Sequence, residues 1–216
     1  MQKTIKGLFL ITILAIPVLI FLFLKFFGSN KFEIPVYYTQ GVESSFTECN
    51  FGKEQHVIPP FNLLAHTGAS ITESHLDGNI TVVDFFFTTC PSICPIMSTS
   101  LTRVQDAFED KGVQLVSFSV DPENDSIEAL QAYAKRFDAK PDMWTFVTGS
   151  KPDIYRLARC GFILPVIDGD GSPEDFIHSD KLILIDKQRR IRGYYSGTDT
   201  EDVDRLIVEL KILLEE

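Results

Sequence analysis

The sequence predicts an α/β domain preceded by an apolar N-terminal helix. Residues 81–87, 113–120 and 144–148 are short, nearly continuous apolar runs, which is the pattern of strands buried on both faces. Segments with helical spacing of apolar residues separate these runs. Strands that alternate with helices, followed by a hairpin and a closing helix, are typical of a thioredoxin-like α/β sandwich.

A candidate transmembrane helix opens the chain. Residues 7–24 carry no charge and are almost wholly apolar, and about 18 residues is the lower limit for a helix that spans a bilayer. A signal peptide shows a similar pattern, but residues 25–30 offer neither a small-residue cleavage site nor a lipoprotein cysteine. We therefore expect an uncleaved, single-pass membrane anchor.

Charged residues set the expected orientation and exclude one class of partner. Lys3 and Lys6 precede the apolar segment, so the positive-inside rule places the N-terminus in the cytoplasm. No arginine occurs before Arg103, which argues against a mitochondrial presequence and favours a bacterial inner-membrane protein with a periplasmic C-terminal domain. The formal net charge of −10 argues against a nucleic-acid partner.

Three regions follow from these patterns. Residues 1–28 are the predicted anchor with its short cytoplasmic N-terminus, residues 29–58 a polar linker or N-terminal arm, and residues 59–216 the thioredoxin-like domain. The 216 residues allow one domain of ordinary size besides the anchor. Because the apolar faces of the predicted helices and strands can pack against one another within this domain, we expect a monomer.

Local signals place the elements of the domain in order. The turn at residues 66–68 joins two short predicted strands, Pro95 suits the first turn of a helix, and Ser126 suits a helix N-cap. Residues 182–185 and 191–195 flank a polar turn and predict a hairpin. Helical spacing of apolar residues marks the buried faces of two central helices, at Ile96, Leu101, Val104 and Phe108 and at Ile127, Leu130, Tyr133, Ala134 and Phe137.

Cys90 and Cys94 are the residues that indicate chemistry. An apolar strand leads directly into them, and thiols in the first turn of a helix feel its positive end, which favours the thiolate that binds metals and attacks disulfides. Their spacing leaves one residue more than Cys-x-x-Cys, so the sulfurs can open around a metal or close on each other. A purely structural pair is the remaining alternative.

The donor types favour copper over zinc. A structural zinc site needs four ligands, and the sequence has no second cysteine pair with zinc-ribbon spacing. Two thiolates and one imidazole suit Cu(I), and the imidazole also tolerates Cu(II). The nitrogen is best sought at His178, directly before the strand at 182–185, although a lone histidine is more often a surface or core residue. We expect only local roles for His56, His66 and His75.

Four motifs, in this order, closely resemble the Sco/SenC family of membrane-anchored copper proteins. They are residues 88–95, residues 121–125, residues 144–149 and His178-Ser179. The resemblance extends from about residue 59 to the C-terminus and implies a thioredoxin-like fold with copper held by Cys90, Cys94 and His178. It also implies a metallochaperone for the binuclear copper centre of cytochrome c oxidase. The implied partners are a copper-accepting oxidase subunit and an upstream copper donor or thiol reductant.

The chain departs from the family pattern at two positions. Many members have Asp where this chain has Ser92 and Ile177, whereas the implied ligands are all present. Loss of nearby negative charge is expected to disfavour Cu(II) relative to Cu(I) and to change how the thiols titrate.

A second function stays open at the same cysteines. Cys90 and Cys94 also suit a thiol-disulfide oxidoreductase that keeps the copper-ligand cysteines of an oxidase subunit reduced. A peroxidase would need donors that support an activated thiolate, and the sequence gives no signal for them. We do not expect an enzyme with a small-molecule substrate.

Three further observations concern residues near these motifs. An exported chain with four cysteines invites a second pairing, Cys49 with Cys160, but sequence does not show whether their Cα atoms come within bridging distance. Met97 is expected in the core rather than as a thioether ligand. Asp121 is expected at the end of a central strand, with turn formation before Pro122 as an equal alternative.

Overall fold

The computed structural model describes residues 2–27, 32–42, 49, 52–164 and 179–216. It divides the chain into two compact units, Met1–Phe32 and Glu33–Glu216. Helix α1, Gln2–Phe27, forms the first unit. Its segment Ile5–Phe26, with a mean hydropathy of 2.9, is long and apolar enough to cross a membrane by length and composition. Helix α1 is therefore a candidate membrane anchor.

The second unit is built on a seven-stranded mixed sheet of the described residues, in the order β2-β1-β5-β4-β3-β6-β7. The three central strands β3, β4 and β5 are parallel, and the outer pairs are antiparallel. The strands are β1 Asn62–Ala65, β2 Ser70–Thr72, β3 Ile80–Phe86, β4 Val113–Ser119, β5 Trp144–Thr148, β6 Lys181–Ile185 and β7 Ile191–Ser196. All seven residues of β3 are buried, as its apolar run predicts.

Helices complete the predicted α/β sandwich, and the first two of them connect the parallel strands. They are α2 Ile93–Phe108, α3 Ile127–Arg136, α4 Lys151–Arg156 and α5 Thr200–Glu215. A π-helical turn, Leu157–Gly161, extends α4. The predicted N-cap of α3 is confirmed, because the Ser126 hydroxyl accepts a hydrogen bond of 3.3 Å from the Ala129 N–H.

The buried face of α2 differs from the predicted one at its N-terminal end. Ile96 is 50% exposed, whereas Cys94, two residues before it, and Met97, one residue after it, are buried. Leu101, a turn further on, is fully buried as predicted. The sheet thus packs against the first turn of α2 through a thiol and a thioether, which places Cys94 against the core and Met97 within it.

From Glu33 onward, the described part of the predicted linker belongs to the second unit. Ile34 and Ile58 are buried, and the Tyr37 N–H donates a 2.9 Å hydrogen bond to the carbonyl of Ile191 on β7. The guanidinium of Arg192 donates 2.6 Å hydrogen bonds to the Ile34 carbonyl and to the carboxylate of Glu216. The segment has only isolated apolar residues, with no helical or strand-like spacing. For this reason the sequence pattern places it outside the domain.

The Cys49–Cys160 disulfide is present, with a Cα–Cα distance of 5.4 Å. It answers the question that the sequence leaves open. Cys49 lies on the N-terminal arm and Cys160 in the π-helical turn after α4. Next to the bridge, His56 Nε2 lies 2.7 Å from the carbonyl oxygen of Gly161. The bridge and this hydrogen bond tie the arm to the same turn.

Replacing Cys160 with serine is expected to lower the free energy of unfolding by roughly 2–4 kcal/mol, because the bridge closes a long loop in the unfolded chain. The two cysteines are 111 residues apart. Urea titration of the purified protein measures the change, and Cys49→Ser is the matched variant that should give the same loss. Mass mapping that finds both thiols free in the native compartment would rule the bridge out.

Candidate metal centre

Cys90 and Cys94 lie at the connection between β3 and α2, at the carboxyl end of a central parallel strand. Cys90 is in the loop between the two elements, and its N–H donates a 3.2 Å hydrogen bond to the Phe87 carbonyl. Cys94 is in the first turn of α2. Both are free thiols, 7% and 3% exposed respectively. Open α/β sheets place their sites at this edge, because the loops after neighbouring parallel strands meet there.

The two thiols differ in their electrostatic setting. Burial works against ionisation of Cys90, but the Cys94 thiol, the backbone N–H groups of Ser92 and Cys94 and the Ser92 hydroxyl favour its thiolate. The net result is a lowered pKa for Cys90. The Ser92 hydroxyl oxygen lies 4.0 Å from the Cys90 sulfur.

Cys94 has the opposite character, which corrects the expectation from the helix end. Burial raises its pKa above the ordinary value, and its hydrogen bond to Cys90 and the charge of Asp84 act in the same direction. Only Cys94 is in the first helical turn, and there burial outweighs the positive end of the helix. The pair therefore combines a thiolate-prone outer sulfur, Cys90, with an inner sulfur that retains its proton.

Asp84 is a buried carboxyl group that acts electrostatically on the inner thiol of this pair. It lies on β3, is 1% exposed, and is paired in register with Ser117 of β4. Neither carboxyl oxygen has a hydrogen-bond partner of good geometry. Although Ser117 acts to lower it, burial raises the pKa of Asp84 to about 7. Asp84 also acts electrostatically on Cys94 and on Tyr133 of α3, so it belongs to the surroundings of the inner sulfur.

A second carboxylate joins the cysteine loop to the neighbouring loop after β4. Asp125 is fully buried, and each of its oxygens lies 3.2 Å from the Thr88 backbone nitrogen, whose N–H it accepts. It also accepts hydrogen bonds from the hydroxyls of Thr88 and Ser119, the latter at 2.5 Å. Burial raises the pKa of Asp125 despite these donors.

Asp121 forms the turn, one of the two roles that the sequence leaves open for it. Its carbonyl accepts the N–H groups of Asn124 and Asp125 at 3.1 and 2.9 Å, and its carboxylate accepts the Asn124 amide at 2.9 Å. The sequence motif therefore contains two aspartates with different roles. Asp121 forms the turn of the loop after β4, and Asp125 connects this loop to the loop of Cys90 through Thr88.

The structure brings together two of the three predicted ligands. His178 and Ile177 lie outside the described residues, so their positions are not assigned. Among the residues that the structure does describe, no group of three histidine, cysteine or acidic side chains is arranged to hold a metal ion. The third ligand of the predicted site therefore rests on the sequence.

The other three histidines have local contacts. His66 Nδ1 accepts the Phe146 N–H at 3.2 Å, and His56 contacts Gly161 as described above. His75 ends a short 3₁₀ turn at Glu73–His75. Burial lowers the pKa of all three. Met97 is fully buried, in agreement with its helical spacing.

Asp84 and Asp125 are residues of this site that the sequence patterns do not single out. For Asp84 the usable signal is a lone carboxylate inside an otherwise apolar strand, since such a group is buried at a cost and usually for a reason. Asp125 shares its motif with Asp121, and spacing alone does not show which carboxylate reaches the next loop.

Comparison with known proteins places the whole domain in one family. The sequence model of the SCO1/SenC family matches residues 51–215. The SCO1 protein homolog of Bacillus subtilis is 29% identical over 213 residues, covering 97% of each chain.

Solved structures are similar over the domain. BsSco, described as a member of the Sco family of cytochrome c oxidase assembly proteins with a disulfide switch, is 29% identical with a TM-score of 0.64 and covers 74% of this chain and 94% of its own. Arabidopsis thaliana ScoI with copper bound is 28% identical with a TM-score of 0.61, covering 74% of this chain and 99% of its own. With the thioredoxin-like fold and the paired thiols at its sheet edge, the chain belongs to the SCO1/SenC family.

Proposed function

We propose that this protein is a membrane-anchored, copper-binding metallochaperone that assists assembly of the binuclear copper centre of cytochrome c oxidase. The observation that carries the proposal is the pair of free, nearly buried thiols of Cys90 and Cys94 at the carboxyl end of β3. The copper-bound ScoI relative and the description of BsSco as an oxidase assembly protein support it.

The donor set fits copper. Cys90 and Cys94 supply two soft sulfur ligands close to each other, and His178 is proposed as the imidazole ligand. When bound, copper is held for transfer rather than for catalysis. The chain's own part is to favour the thiolate of Cys90 by lowering its pKa and to shield Cys94 from solvent. Because both thiols must be ionised to bind a metal, Cys94 releases its proton on loading.

The proposed setting follows from helix α1. We propose that it anchors the protein in a bacterial inner membrane, with the domain in the periplasm as a monomer. That compartment permits the Cys49–Cys160 disulfide. The proposed partners are the copper-accepting subunit of the oxidase and an upstream copper donor or thiol reductant.

A thiol-disulfide oxidoreductase is the second candidate, and the asymmetry of the two thiols favours it. Thiol-disulfide exchange begins with a thiolate, and Cys90 has the lowered pKa and the greater exposure of the pair. Cys94 then closes the disulfide from the inner position. In this function the cysteines of the oxidase subunit are the substrate, and no third ligand is required.

His178→Ala separates the two functions. An imidazole completes a metal site but is not needed for two thiols to exchange with a disulfide. We expect the variant to keep the dithiol–disulfide couple of Cys90 and Cys94 and to lose tight copper binding. Competition with a copper chelator measures the affinity, and alkylation with mass mapping follows the couple.

His75→Ala is the matched control, since it removes an imidazole from the 3₁₀ turn after β2. Its copper affinity should equal that of the parent. Unchanged copper affinity in His178→Ala would overturn the ligand assignment. If cells that carry His178→Ala still assemble active oxidase, thiol reduction becomes the better account of the essential role.

A further inference from the structure

Asp125 connects three elements around the cysteine loop. It follows β4 and directly precedes Ser126, the N-cap of α3. Its carboxylate reaches across to Thr88, in the loop that leaves β3, and back to Ser119 at the end of β4. Since Asp125 has no solvent exposure, these protein groups are its surroundings. A buried carboxylate at the junction of two loops restrains both of them.

The donors around Asp125 suit a carboxylate. Thr88 contributes its N–H and its hydroxyl, and Ser119 contributes a second hydroxyl. A carboxylate offers about four acceptor sites, so it can accept all three hydrogen bonds at once. An amide at the same place has a single oxygen with which to accept, so a hydroxyl would have to turn and accept from its N–H₂ group. The arrangement therefore favours an acidic residue.

The restraint reaches Cys90 through a short stretch of chain. Thr88 is two residues before Cys90, and the hydrogen bond from the Cys90 N–H to the Phe87 carbonyl closes the turn between them. Cys94, by contrast, is held by α2 and by burial against the core. The separation of the two sulfurs thus depends on where the loop holds Cys90.

We propose that Asp125 is a positioning residue that holds the Cys90 loop so that the two thiols stay open toward a metal instead of closing into a disulfide. The proposal deepens the function proposed above and rests on it for the metal. In the structure Asp125 accepts hydrogen bonds from Thr88 while both thiols are free. The hydrogen bonds of Asp125 therefore stabilise the dithiol arrangement, and their loss favours the disulfide.

Two variants test this on the full-length protein in detergent. Asp125→Asn replaces acceptor by donor, and Thr88→Val removes one hydroxyl at nearly constant shape. In each we expect the equilibrium constant for disulfide formation between Cys90 and Cys94 to rise about tenfold, which lowers the midpoint potential by about 30 mV for a two-electron couple. Copper affinity should fall about tenfold, as is usual when a group that supports a ligand is lost.

The redox measurement uses graded mixtures of reduced and oxidised dithiothreitol. Oxidised dithiothreitol takes two electrons and two protons from the pair as the Cys90–Cys94 disulfide forms, and it becomes the dithiol. Alkylation and peptide mass mapping follow these two cysteines apart from Cys49 and Cys160. The readout needs no copper.

Matched variants separate positioning from general stability. Thr88→Ser keeps the hydroxyl and should restore both the parent potential and the parent copper affinity. Asn124→Ala removes a hydrogen bond of the same loop, to Asp121, without contact to Thr88, and should leave both values at those of the parent. These two variants and the parent should show the same urea midpoint within error.

The outcomes distinguish this proposal from the proposed function. Parent potentials in Asp125→Asn and Thr88→Val, with a lowered urea midpoint, would reduce Asp125 to a structural role and overturn the inference, while copper binding by the parent protein would still stand. A shifted potential in a protein that binds no copper even as the parent would sustain the positioning role and refute the metallochaperone function.

Discussion

Oxidation of Cys90 and Cys94 is expected to abolish copper uptake by the purified protein. Oxidised glutathione accepts two electrons and two protons from the pair and is itself reduced to two thiols, while the Cys90–Cys94 disulfide forms. Its sulfurs are then no longer thiolates, which is the form that binds metal. Elemental analysis should show copper fall from a stoichiometric amount to near zero, and reduction with dithiothreitol should restore it.

Cysteine variants make the same test without an oxidant. Cys90→Ser and Cys94→Ser should each lose copper, because a serine hydroxyl stays protonated at neutral pH and is a hard donor. Cys160→Ser breaks the Cys49–Cys160 disulfide and should keep copper binding even where it lowers stability. Equal copper uptake before and after reduction of Cys90 and Cys94 would remove this pair from the ligand set.

The regular elements were predictable because their signals are local. Continuous apolar runs identify β3 and β4, helical spacing identifies α3 and α5, and a serine at Ser126 marks a helix start. The attachment of the arm through Ile34 and Ile58 was not predictable in this way. It depends on isolated side chains that pack near a sheet edge distant in sequence. No periodic spacing of apolar residues indicates such a contact.

The features of the site also divide into those with a local sequence signal and those that depend on the fold. Cys90 and Cys94 stand out because residue type, spacing and the preceding strand all indicate one chemistry. Their electrostatic difference does not, since it arises from burial and from neighbours on other elements. The roles of Asp84 and Asp125 likewise depend on which strands lie side by side, and a lone sequence does not state the order of strands in a sheet.

Asp84 shows how such a neighbour affects the whole domain. Its carboxyl group is buried on β3 without a hydrogen bond of good geometry, and burial raises its pKa from 3.8 to about 7. The folded state therefore holds a proton that the unfolded chain releases near pH 4. The stabilisation is complete below the unfolded pKa and is lost as the pH rises through the folded one, a difference of about 4 kcal/mol over the full range.

Replacing Asp84 with asparagine should remove this pH dependence. In the reduced, metal-free domain we expect the free energy of unfolding of Asp84→Asn, relative to the parent, to rise by about 3 kcal/mol between pH 5 and pH 8. Urea titrations at the two pH values give this difference, and the constant cost of burying an amide cancels from it. Asp142→Asn, which alters an exposed carboxyl group on the surface, is the control and should leave the difference near zero. Parallel pH profiles for Asp84→Asn and the parent would show that Asp84 titrates alike in the folded and unfolded chain, and that the inner thiol of Cys94 faces an ordinary carboxylate.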